Sequence, residues 1–346
     1  MRIRDLIFGL LAVILLVGYI AVGQRVAPLL LPSAASTPTP ARPTGRVPAP
    51  TITGSIAFVL RGDVFVVTNG HYASRTDEGR SQTPALSPDG QTLFFSRVES
   101  IDGKSSVDGQ VVPARLGFSN VIRKPSGGGP EEVLLTGLAR AASGFHSVHW
   151  YLSPALSPDG KRLAVIEADP DGSSDLLLYD LTTKKVAAIL SNGADWTDPA
   201  WSPDGKTIVV TAYDSGAPEL LLKPADGGLR ASPIAGLPDG EPYRPTFSAD
   251  GKWIIYTLRH DGKNDLHAFE LATKRDVPLT RDGQSWNPSV SPDGSQLSYL
   301  RSQTLTIDLW VMDLGSALTT GGLPKPGTKI TKSEGVDGAN RPSWGR

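Results

Sequence analysis

The chain has 346 residues, 34 Lys+Arg against 35 Asp+Glu, a net charge of −1 and no cysteine. Balanced charge argues against a nucleic-acid-binding protein, because phosphate binding needs a basic surface. The missing cysteines remove disulfides, thiolate zinc sites, iron–sulfur clusters and cysteine nucleophiles together. Gly (37) and Pro (29) make up about 19 % of the chain against roughly 12 % on average. Turns are therefore frequent, and an all-β fold is expected.

Residues 6–23 (LIFGLLAVILLVGYIAVG) are 18 residues without a charge. That length suits a spanning helix of about 17–25 residues. Arg2 and Arg4 precede it and Arg25 follows. The positive-inside rule then favours a cytoplasmic N-terminus and an exported body. Residues 1–23 are expected to be a transmembrane anchor; the alternative is a cleaved signal segment, with a secreted or periplasmic product. Residues 24–53 form a Pro/Thr/Ala-rich linker, with six prolines between Pro32 and Pro50. Such a composition is extended and buries no core.

A repeat occupies residues 54–346. PALSPDG starts at Pro84 and again at Pro154, PAWSPDG at Pro199, PTFSADG at Pro245 and PSVSPDG at Pro288; a cut-off copy starts at Pro342. The prolines are 70, 45, 46, 43 and 54 residues apart. Ser-Pro-Asp-Gly suits a type I turn, with Pro setting φ at its second position. A run apolar on both faces follows each turn, such as Ile208-Val209-Val210 or Trp253-Ile254-Ile255-Tyr256. This is the pattern of a strand packed between two sheets. Another strand then opens on an acidic residue (Asp175, Glu219, Asp265, Asp308), and a weaker fourth ends near Leu135-Thr136 or Leu279-Thr280. Four antiparallel strands in about 45 residues make a propeller blade. Residues 54–67 read as a second and third strand with no first, and residues 341–346 as a first strand alone. Joining them completes a sixth blade and removes the open edges of the ring.

This repeat resembles that of TolB-like six-bladed β-propellers, over residues 54–346. The resemblance implies a six-bladed β-propeller of four-stranded antiparallel blades, the first blade closed by the C-terminal strand. TolB itself is soluble and periplasmic, with a separate N-terminal α/β domain; here an N-terminal transmembrane helix and a linker stand in that place. The same repeat occurs in the propellers of prolyl-oligopeptidase-like peptidases. No G-x-S-x-G nucleophile elbow occurs in the chain. No catalytic residue, cofactor or metal is therefore assigned. His146-x-x-His149 is the one close histidine pair and reads as solvated. Asp169-Pro-Asp171-Gly-Ser-Ser-Asp175 and Arg61-Gly62-Asp63 fall at central hairpin turns and read as structure rather than as a calcium loop or an adhesion tripeptide.

The Ser-Pro-Asp-Gly turns lie on one face of such a ring, and the loops after the second and fourth strands on the other. The second face carries the variation. Val98–Gly117 is an insertion between two strands of its blade, and Gly137–Ser153 a long entry into the next. Residues just before the motif prolines should rim the central channel: Thr83, Ser153, Asp198, Arg244, Asn287 and Arg341, beside Tyr151, Trp196, Tyr243 and Trp286. Aromatic residues with Arg, Asp and Asn are recognition chemistry. The other reading is that the aromatics plug the channel and pack between blades. The binding candidates are Tyr151, Trp196, Asp198, Tyr243, Arg244, Trp286, Asn287 and Arg341. The expected function is a membrane-tethered, extracytoplasmic, non-catalytic binding module, a monomeric propeller that binds a protein, a peptide or an envelope polymer. The alternatives are a hydrolase or lyase acting on peptide or carbohydrate at the channel mouth, and a structural scaffold in an envelope complex.

Overall fold

The Ser-Pro-Asp-Gly turns set the period of the fold. The structure, a computed structural model, describes residues 45–46, 52–107, 110–140, 146–170, 172–191, 195–214, 216–227, 230–320 and 323–346. In each turn the Gly N–H donates to the Ser carbonyl at 2.8–2.9 Å. The Gly sits at φ between 69° and 75°, where a side chain is strained. The third copy shows how the turn is locked. Ser202 Oγ donates to Asp204 Oδ1 at 2.6 Å and accepts the Thr207 N–H at 2.9 Å. Asp204 Oδ1 also accepts the Lys206 N–H at 3.1 Å. The same clasp recurs at Ser87, Ser157, Ser248 and Ser291.

Six antiparallel blades result. Listed from the axis outward, blade 2 is Ser81–Leu86, Thr92–Val107, Gln110–Pro125 and Glu132–Thr136. Blade 3 is Trp150–Leu156, Arg162–Ala168, Ser174–Asp180 and Lys185–Ile189. Blade 4 is Trp196–Trp201, Thr207–Ala212, Glu219–Pro224 and Ser232–Pro233. Blade 5 is Glu241–Phe247, Trp253–His260, Lys263–Glu270 and Asp276–Pro278. Blade 6 is Ser285–Val290, Gln296–Gln303, Thr306–Asp313 and Thr328–Lys329, with a short helix, Gly315–Thr320, before its last strand.

Blade 1 joins both ends of the chain. Ser343–Gly345 is innermost, followed by Ser55–Leu60, Asp63–Thr68 and His71–Ser74. Ser55 pairs with Gly345, and Leu86 N donates to Ser343 Oγ at 2.8 Å, so the closing strand is stitched to its own blade and to blade 2. The blade also reaches back before residue 54. Gly45–Arg46 adds a fifth strand to its outer edge, Ile52 is buried, and Thr53 N donates to Gln296 Oε1 of blade 6 at 3.2 Å. Among the described residues no helix is long and apolar enough to cross a membrane; the expected spanning segment, residues 6–23, lies outside them.

The second strands are the driest, as their two-faced apolar runs predict. Ser55–Leu60 is buried at every position, and so are Leu163 to Ile166 and Ile254 to Tyr256. Their side chains fill the cores between neighbouring blades, for example Ala164, Ile166, Leu176, Ile208 and Val210 between blades 3 and 4. In blades 1, 5 and 6 the acidic residue opening the third strand ties the blade to its exit loop. Asp308 Oδ1 accepts Thr331 Oγ1 at 2.7 Å and Ser333 N at 2.8 Å, while Thr331 Oγ1 accepts the Leu309 N–H at 3.1 Å. Asp265 with Thr280, and Asp63 with Thr76, repeat the arrangement. Arg61-Gly62 is a two-residue hairpin turn, at φ 55° and 76°.

The insertion at Val98–Gly117 differs from expectation. It is a continuation of the second and third strands, paired in register from Thr92 with Pro125 out to Val107 with Gln110. The chain offers an Asp-Gly hairpin signal at Asp102-Gly103, yet the ladder runs through it, pairing Asp102 with Arg115 and Gly103 with Ala114. Part of the second insertion pairs as well, Leu138–Arg140 with His146–Val148.

Candidate functional site

Each inner strand bends at the residue before its motif proline. Thr83, Ser153, Asp198, Arg244 and Asn287 all have φ between 48° and 61°. At each of them the pairing with the second strand shifts register. These left-handed residues sit at bulges of the inner strands, and a bulge re-aims the side chain it carries. Threonine hydroxyls of the second strands support the bends. Thr211 Oγ1 accepts the Arg244 N–H at 3.0 Å, and Thr257 Oγ1 accepts that of Asn287 at 3.2 Å.

These side chains converge across the blades. Arg244 Nε lies 3.8 Å from Asp198 Oδ1, and its Nη1 donates to Asn287 Oδ1. The guanidinium stands 6.0 Å from the Tyr243 ring centroid. Burial pushes the Tyr243 phenol up to about 12, so it stays neutral in the physiological range. Arg341 reaches across from blade 1. Its Nη1 donates to the Pro245 carbonyl at 2.7 Å and its Nη2 to the Pro199 carbonyl at 3.2 Å. Enclosure lowers the pKa of this guanidinium; Asp198 opposes the shift and Arg244 adds to it.

The segment before the closing strand lies over the same residues. The Gly338 carbonyl accepts Trp286 Nε1 at 3.0 Å, Asn287 Nδ2 at 3.1 Å and Arg244 Nη1 at 3.4 Å. Arg244 Nη2 donates to the Ala339 carbonyl at 2.8 Å, and Asn340 Oδ1 accepts the Thr83 N–H at 2.6 Å. Residues 337–341 thus bridge blades 2, 4, 5 and 6. Gly338 suits the approach: a Cβ there would fall 2.7 Å from Ile307 and 3.2 Å from the Trp286 indole. The one cue in the chain is the 54-residue final repeat, longer than the three before it.

Six of the eight candidates therefore meet at this mouth: Asp198, Tyr243, Arg244, Trp286, Asn287 and Arg341. Tyr151 and Trp196 turn into the cores between blades, both buried. Tyr151 donates to Glu167 Oε1 at 2.8 Å, and Trp196 Nε1 to Asp214 Oδ2 at 3.2 Å.

Two further features were not foreseen. Beside the mouth the two insertions lean together. A Cβ on Gly117 would fall 2.9 Å from the Trp150 indole, and one on Gly103 3.8 Å from the His146 ring. Ser147 Oγ lies 3.0 Å from His149 Nε2, and His149 Nδ1 lies 2.7 Å from Asp169 Oδ1 and 3.5 Å from Glu167 Oε1. The order Ser–His–Asp is that of a hydrolytic relay. Here the imidazole is shared between two carboxylates, and the chain of contacts pins the insertion to blade 3. Among the described residues no group of three His, Asp or Glu side chains is placed to hold a metal ion. The second feature is the far end of the channel. It opens as a cavity of about 540 Å³ whose lining comes from all six blades and includes Pro88, Pro158, Trp201, Phe247, Pro292 and Arg346.

The sequence profile of the TolB beta propeller domain matches residues 133–344. The Protein TolB homolog of Chlorobium luteolum is 28 % identical over 202 residues, 58 % of this chain and 42 % of that protein. The Tol-Pal system protein TolB of Francisella tularensis subsp. tularensis is 30 % identical over 156 residues, 44 % of this chain and 35 % of that protein. The chain thus spans less than half the length of these curated relatives. Among solved structures, TolB from Acinetobacter baumannii superposes with a TM-score of 0.62 at 22 % identity, over 86 % of this chain and 67 % of that one. A putative TolB from Agrobacterium tumefaciens gives 0.57 at 18 % identity, over 84 % and 93 %. These two establish the shared fold. The repeat, the closed six-bladed ring and the profile match agree: the chain belongs to the TolB beta-propeller family.

Proposed function

We propose that this propeller is a non-catalytic, extracytoplasmic binding module that recognises a protein or peptide of the cell envelope, tethered by residues 6–23 acting as a membrane anchor. The observation that carries this reading is the crowding of one face. The channel mouth, with two guanidiniums, a carboxylate and Tyr243, and both insertions lie on the face opposite the uniform turns. Long individual structures on a rigid scaffold are where binding sites are usually built. The relatives named for the Tol-Pal system support an envelope partner.

The test removes the insertion and spares the ring. Residues 99–118 are replaced by a two-residue Asn-Gly turn, which keeps the blade-2 hairpin. Full-length protein and variant are then cross-linked in envelope preparations. The expected result is that the variant melts within a few degrees of the parent and loses its cross-linked partner. Retention of the same partner by the shortened protein overturns the placement on this face.

A further inference from the structure

Every blade ends in an outer strand, and an outer strand presents a row of backbone donors and acceptors to which another strand can add. Most blades here guard that edge. Blade 1 is covered by its own chain: Gly45 pairs with Tyr72 and Arg46 with His71. Blade 4 ends in the two residues Ser232–Pro233, and blade 5 in Asp276–Pro278, each closed by a proline. Blade 6 ends in two residues, Thr328–Lys329. Short strands, prolines and lysines are the usual protections.

Blades 2 and 3 lack the first two, although Lys185 stands at one end of the blade 3 edge. Their outer strands, Glu132–Thr136 and Lys185–Ile189, are five residues long with no internal proline. Val133 is 56 % exposed, Val186 44 % and Ile189 59 %. Outside these strands, only three other large hydrophobic residues are so exposed among the described residues. A bulge interrupts each pairing, and in blade 3 it leaves residues 185–187 all facing solvent. The two edges adjoin, with Lys184 Nζ 2.6 Å from Glu132 Oε1. Among the described residues no strand pairs with the outer side of either.

We propose that the outer edge of blade 3, Lys185–Ile189, is a docking site for an extended segment of another protein, which adds as a fifth strand. Gly45–Arg46 already does this on blade 1. The fitting segment is antiparallel, with β-branched residues to meet Val186 and Ile189 and a carboxylate opposite Lys185. A second copy fits poorly. Antiparallel self-pairing about Ala187 sets Lys185 against Ile189 twice, and parallel pairing in register sets Lys185 against Lys185. This site is independent of the channel mouth and lies on the circumference of the ring.

The test uses the full chain and a dye-labelled nine-residue peptide alternating valine and threonine, with glutamate at its C-terminal end. Anisotropy should show saturable binding, and hydrogen exchange should slow at residues 185–189. Ile189→Lys, and separately Val186→Lys, should weaken binding roughly tenfold or more at an unchanged melting temperature, which both exposed positions permit. A peptide with proline at its centre should not bind. No saturation below about 1 mM, protection at another edge, or equal binding by both lysine variants overturns the proposal. Dimerisation of the parent that Ile189→Lys abolishes overturns it in favour of a second copy.

Discussion

The two faces of this ring are built on opposite economies. On one, the same clasp of Ser, Asp and backbone is made at Ser87, Ser157, Ser202, Ser248 and Ser291, with little variation in distance. On the other, the contacts that join blades across the mouth or pin the insertion each occur once: Arg341 across the channel, Gly338 with Trp286 and Asn287, His149 between Asp169 and Glu167. Repetition makes the first face tolerant, because each clasp braces one hairpin. These crossing contacts have no duplicate, so the loss of one is felt by several blades.

The largest effect should therefore come from Arg341. Its guanidinium ties blade 1 to two carbonyls on the opposite side of the axis. Arg341→Ala removes two charge-assisted hydrogen bonds and leaves both carbonyls without that donor in a confined space, a cost of about 3 kcal/mol. Urea unfolding at constant m-value is the measurement. Arg341→Lys should recover only part of the loss, because one ammonium does not match the fork that reaches both Pro245 and Pro199. A loss within experimental scatter for the alanine variant would mean that the crossing carries no load.

The repeating half of the molecule was legible in the chain, and the individual half was not. Ser-x-Asp-Gly followed by an apolar run specifies a turn and a buried strand through local rules alone, so the blade count and the closure of blade 1 could be read directly. The rim positions followed from the same periodicity, since Asp198, Arg244 and Asn287 occupy one place in successive repeats. Period alone could not separate Trp196 from Trp286. Both are aromatics two or three positions before a motif proline, yet one is buried in the core between blades 3 and 4, while the other stays part-exposed against the core between blades 6 and 1 and donates to Gly338. That choice depends on partners distant in sequence. Residues 337–340 were invisible for the same reason: their contacts across the mouth lie from about 50 to more than 250 residues away and leave no local pattern.

On the uniform face a single deletion should be small. Ser202→Ala removes the hydroxyl that donates to Asp204 and accepts from Thr207. Water reaches Asp204 but not readily the Thr207 N–H, so the cost is about 1 kcal/mol. The same substitution at Ser157 should match it to within a few tenths of that, and the double variant should be additive, as the clasps share no atoms. A double variant that loses much more than the sum would show that the turns cooperate and that the face is not modular.

The smallest signal is electrostatic and tests the clasp itself. The carboxyls of Asp89, Asp159, Asp204 and Asp293 are held below the usual range, chiefly by the serine hydroxyl of the same turn. At Asp250 burial pushes the other way and is outweighed by Ser248 and the Lys252 N–H. A carboxyl with a lowered pKa when folded adds stability that is complete above its unfolded value, about 3.9. That stability is lost as pH falls through the folded value. Asp195 has the reverse sign, since burial and then Asp214 raise its pKa, so protonating it on acidification favours the fold. Eight lowered carboxyls, these five with Glu131, Glu132 and Asp180, against this one predict stability that is flat near neutrality and declines below about pH 4. Carboxyl carbon shifts resolve the contributors individually: the Asp204 midpoint should lie below that of an unstructured peptide and rise in Ser202→Ala. If the midpoint does not move when the hydroxyl is removed, the serine does not hold the charge, and the turns owe their uniformity to backbone geometry alone.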